Sequence, residues 1–76
     1  MTTKFTEHSE IQVYVENTVN MNGDELIDTL YINVDASNLE VTFSIEDSQG
    51  DSADFKINKE ALQQVFDWLK IKHIVQ

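Results

Sequence analysis

At 76 residues the chain has room for one domain, and its five lysines against fourteen acids, with no arginine, give a net charge of −9. That balance argues against phosphate as a direct partner, whether in nucleic acid or on an anionic membrane, and the side chain that reads guanine bidentately is missing. No cysteine is present for a disulfide or a thiolate metal site, and no apolar run approaches the ~20 residues of a membrane-spanning helix.

Residues 1–9 read as a polar lead-in with frayed ends, Phe5 being its one anchor to a single α+β domain over 10–76. This start has no apolar stretch of the kind a secretory signal needs, so a cytoplasmic protein is expected. The first strand follows: Ile11, Val13 and Val15 fall on one face, and Gln12, Tyr14 and Glu16 on the other. Asn22-Gly23 is a hairpin signal, because both residues tolerate positive φ. The next segment, DELIDTLYINVD, places Leu30, Ile32 and Val34 opposite Thr29, Tyr31 and Asn33. A helix over DELIDTLY, capped by Asp24, competes with this reading, but the β-prone run from Thr29 to Val34 favours a strand.

DASN is a polar turn. LEVTFSIE (residues 39–46) alternates most cleanly, with Leu39, Val41, Phe43 and Ile45 apolar and Glu40, Thr42, Ser44 and Glu46 polar. EDSQGDS is a loop around Gly50, and ADFKIN gives a short fourth strand that sends Phe55 and Ile57 inward. The period then lengthens. Asn58 is an N-cap, Glu60 suits the first turn, and Leu62, Val65, Phe66 and Leu69 recur at helical spacing beside Ala61 and Trp68. The tail, IKHIVQ, is expected to fold back or add a short strand. The architecture expected is ββββα: a four-stranded antiparallel meander with the helix 58–70 packed on one face. Leu62, Phe66 and Leu69 should then meet Val41 and Phe43, leaving the other face wet.

Charge is unevenly placed. Residues 1–55 carry twelve acids and one lysine, a net −11, whereas residues 56–76 carry four lysines and two acids, a net +2. Strand parity sets Glu16, Glu40, Glu46 and Asp54 on the face away from the helix, together with Tyr14, Ile27 and Tyr31. Two readings of that face compete. Acids on a wet sheet face keep a small protein soluble and discourage edge pairing, and Tyr14 with Tyr31 is then only a cross-strand pair. Alternatively, tyrosines ringed by acids form a patch for a basic protein surface. The candidate binding residues are Tyr14, Glu16, Tyr31, Glu40 and Glu46.

Chemistry is sparse elsewhere. His8 and His73 sit near opposite ends of the chain, and nothing in the sequence fixes either against an acid or a nucleophile. Carboxylates on an open face stay solvated, with ordinary acidity. EDSQGDSAD departs from the calcium-loop pattern at Gln49 and has no terminal glutamate at the right distance. Phe66 and Trp68 fit a core and its edge better than a stacking platform. No catalytic, cofactor or metal residue is assigned, and the chain is expected to be non-enzymatic.

Residues with AT-rich codons number 26 against five with GC-rich codons, which points to an AT-rich genome. Size, acidity and this bias together resemble the small accessory proteins of phages and mobile elements. That resemblance implies an inhibitor or modulator acting in a host cytoplasm on a basic protein such as a nucleic-acid-handling enzyme. The competing expectation is an accessory protein that pairs with itself, as a homodimer, through a sheet edge or the open face.

Overall fold

The computed structural model describes residues 1–76 as one five-stranded antiparallel sheet followed by one helix. The strands are β1 (Thr2–Glu7), β2 (Gln12–Met21), β3 (Asp24–Asp35), β4 (Glu40–Glu46) and β5 (Ser52–Asn58), side by side in chain order, and α1 spans Lys59–Ile71.

The expected four-stranded meander is one strand short. Segment 2–7, read as a lead-in, pairs with β2, placing Phe5 opposite Val15 and Lys4 opposite Glu16. Its threonines suit a strand, but a single apolar side chain is too little for a period of two to register. Within the sheet, Phe5 completes an apolar row that continues through Val15, Leu30, Ile45 and Ala53.

The β2–β3 hairpin turns as its sequence predicts. Asn22 has φ 52° and Gly23 φ 85°, the pair of left-handed residues that a two-residue type I′ turn requires. Beyond Thr18 and before Thr29 the two strands pair only with each other. The tip therefore projects as a two-stranded arm with Val19 opposite Leu26.

β4 begins at Glu40 rather than Leu39. Leu39 lies in the turn with φ 53°, a left-handed conformation that costs an L-residue about 1–2 kcal/mol. Its carbonyl accepts a 3.0 Å hydrogen bond from the Lys59 N–H, which ties that turn to the start of α1. Asn58 caps the helix as expected, its Oδ1 accepting from the Ala61 N–H at 2.9 Å, and Glu60 lies in the first turn.

The helix does not roof the sheet. No residue of the chain is fully buried: Phe55 is 66% exposed, Ile45 53% and Phe66 43%. Leu62, from the second turn of α1, shares a shallow groove with Val34, Leu39 and Val41, and Phe66 is not among the groove's lining residues. The reason is local. Asn58 is both the last residue of β5 and the cap of α1, so no connecting residues are left to turn the helix back over the strands, where two to six are usual. The chain is correspondingly extended, with a radius of gyration of 14.5 Å against about 11.4 Å for a compact chain of this length.

Candidate protein-binding face

Partners across an antiparallel ladder project to the same side, so the register sorts the side chains into two faces. One is apolar: Val13, Ile32, Phe43 and Phe55 form a single row across four strands. The other is polar and carries all five candidate residues.

On that polar face Tyr14 and Tyr31 are direct partners, flanked in the same row by Thr6 on β1 and by Ser44 and Asp54 on β4 and β5. Both tyrosines are half-buried. The next row holds Glu16 and Glu46 on either side of Thr29, two strand spacings or about 10 Å apart. These four residues form one patch. Glu40 does not join it: it pairs with Asp35 at the far end of β4, four residues or ~13 Å from the tyrosine row.

The missed strand hid two members of the site. Lys4 is the direct cross-strand partner of Glu16. His8, one residue past β1, brings its ring centroid to 6.1 Å from that of Tyr14, which makes the aromatic patch a run of three rings. Pairing of residues 2–7 with β2 was the signal that would have found both. Thr6, opposite Tyr14, has its hydroxyl oxygen shielded from solvent without a hydrogen-bond partner. Farther along, the Gln12 side-chain amide donates to Asn33 Oδ1 at 2.8 Å, fixing the polar row beside the tyrosines.

Asp35, across from Glu40, has its carboxyl held below the ordinary value. The Asn38 side-chain amide donates to it at 2.8 Å, followed in effect by the Asn38 and Ser37 backbone N–H groups at 3.2 and 3.1 Å. The loop at Gly50 uses its acids in the same way: Asp47 Oδ1 accepts from the Gln49 and Asp51 N–H groups, and Asp28 Oδ1 from that of Ser48. Those carboxylates are occupied in closing the turn, and no cluster of three or more His, Cys, Asp or Glu has metal-binding geometry. No helix is long and apolar enough to cross a membrane.

Comparison with protein-family models, with curated proteins and with solved structures finds no match to this chain.

Proposed function

We propose that this chain is a non-enzymatic binding protein whose polar sheet face engages a basic surface on another protein. The observation that carries this reading is the Tyr14–Tyr31 pair, half-buried in the middle of a helix-free face and flanked by Glu16, Glu46 and Asp54. Ordered aromatic rings give contact area at low entropic cost, and carboxylates one row away give a negative rim that steers a cationic partner. Glu40 and Asp35 extend that field toward the α1 end of the sheet.

A net charge of −9 without arginine suits a protein that competes with nucleic acid for a basic surface rather than binding it. An acidic modulator seated on a nucleic-acid-handling enzyme in the cytoplasm fits this chemistry. The array is too sparse to imitate a whole duplex, since same-face strand positions repeat at about 6.8 Å and duplex charges at ~1.7 Å.

The test is the triple variant Glu16→Lys, Glu40→Lys, Glu46→Lys, measured against a partner recovered by affinity capture. Its association rate should fall at least tenfold at low salt, and added salt should bring the wild type toward the same rate. Equal association rates would reduce these acids to a solubility device.

A further inference from the structure

We propose that the apolar sheet face of this chain is covered by α1 of a second copy, and reciprocally, in a two-fold dimer. The first observation is area. The single chain exposes 6293 Å², whereas a folded monomer of 8.8 kDa exposes about 4,800 Å². The excess, about 1,500 Å² per chain, would bury about 3,000 Å² in a pair, inside the 2,000–5,000 Å² of obligate homodimers.

The second observation is that the two unpartnered surfaces match. The sheet presents an exposed Phe55 beside a half-buried Phe43, and α1 presents Val65, Phe66 and Trp68, each more than two-fifths exposed. Each surface is what the other lacks. The direct β5–α1 junction keeps α1 from closing over its own strands, so a second chain must supply the roof. A two-fold axis then makes both contacts at once.

Charge selects helix-on-sheet over sheet-on-sheet pairing. The charged residues on the apolar side of the strands, Glu7, Asp24 and Asp28, are all acids, so stacking two such faces would oppose like charges, whereas the stretch from Lys59 to Lys72 carries three lysines against two acids. Seating α1 on the partner sheet brings opposite signs together. Lysines edge the helix aromatics: the Lys70 ammonium lies 5.4 Å from the Phe66 ring centroid and that of Lys72 5.8 Å from the Trp68 centroid. Glu7 and Asp28, which share the apolar side with Val13 and Asn17, supply acids at its rim. The polar faces remain outward, one on each side of the dimer.

Sedimentation equilibrium of the full chain, at tens of micromolar and in salt up to about 0.5 M, should return twice the 8.8 kDa chain mass. Its melting temperature should rise with protein concentration, because only the pair is folded. A folded monomer, or a melting temperature independent of concentration, overturns the proposal. Phe55→Asp alters a side chain that is two-thirds exposed in one copy, so a monomeric fold would hardly notice it. In the dimer it should weaken association roughly 30-fold or more, while Glu16→Lys on the polar face leaves the mass unchanged. Finally, about six Gly/Ser residues inserted between Asn58 and Lys59 give α1 the slack to return to its own sheet. That variant should become a folded monomer, and persistence of the dimer would refute the helix exchange.

Discussion

Tyr14 and Tyr31 face each other across β2 and β3 with ring centroids 5.7 Å apart and planes tilted by 50°, within the range where aromatic pairs attract beyond simple burial. A double-mutant cycle to alanine, run by urea unfolding at one fixed protein concentration, should therefore give a coupling of ~0.5–1 kcal/mol. In binding, Tyr31→Ala should act mainly on dissociation, raising its rate about tenfold. Zero coupling would mean that the two rings are neighbours without being partners.

Gly23 should resist substitution for a purely conformational reason. A Cβ built there meets nothing within 4 Å, yet φ is +85°. Gly23→Ala should cost ~1–2 kcal/mol through the left-handed penalty, and Gly23→Val more, because a branched side chain is worse at positive φ. If valine and alanine unfold at the same urea concentration as glycine, the turn has changed type.

Asn58 holds the first turn of α1 through one hydrogen bond. Asn58→Ala should lower stability by ~1 kcal/mol, whereas Asn58→Asp retains an acceptor and should lose little. Urea midpoints of the two variants decide the matter. A silent alanine variant would show that the helix start is set by the Lys59–Leu39 contact instead.

Acid should loosen the β3–β4 turn. Asp35 is held below its ordinary pKa chiefly by the Asn38 side-chain amide. A carboxylate with a depressed folded pKa stabilises the fold above its unfolded pKa of ~3.9, and that contribution disappears as pH falls through the lower folded value. Asn38→Ala should thus move the Asp35 carboxyl titration, followed by NMR, back toward its ordinary value. It should also narrow the stability difference between pH 7 and pH 2.5. An unmoved titration would assign the shift to the backbone donors alone.

How much of this could be read from the residues follows from how each signal is carried. Alternation is local, so β4 and the two faces of β2 and β3 were legible, and face parity alone put Tyr14, Tyr31 and Glu16 together. The Asn22-Gly23 turn was legible because its chemistry is specific. β1 was not, since Phe5 is its only apolar residue and its strand character comes from pairing with β2. Glu40 was grouped with the tyrosines because parity reports the side of a sheet but not the distance along a strand. The helix was found and its seat was not: an apolar stripe through Leu62, Phe66 and Leu69 says that α1 needs cover, without saying from which chain.

The absence of any fully buried side chain in one copy has a consequence in time. When folding awaits a second chain, its rate grows with the square of abundance, and a scarce chain spends longer open to proteases. Doubling synthesis would then more than double the standing pool of active protein. Dosage becomes a switch: a weakly transcribed gene yields mostly degraded chain, and a strongly transcribed one crosses into durable pairs without any added regulator.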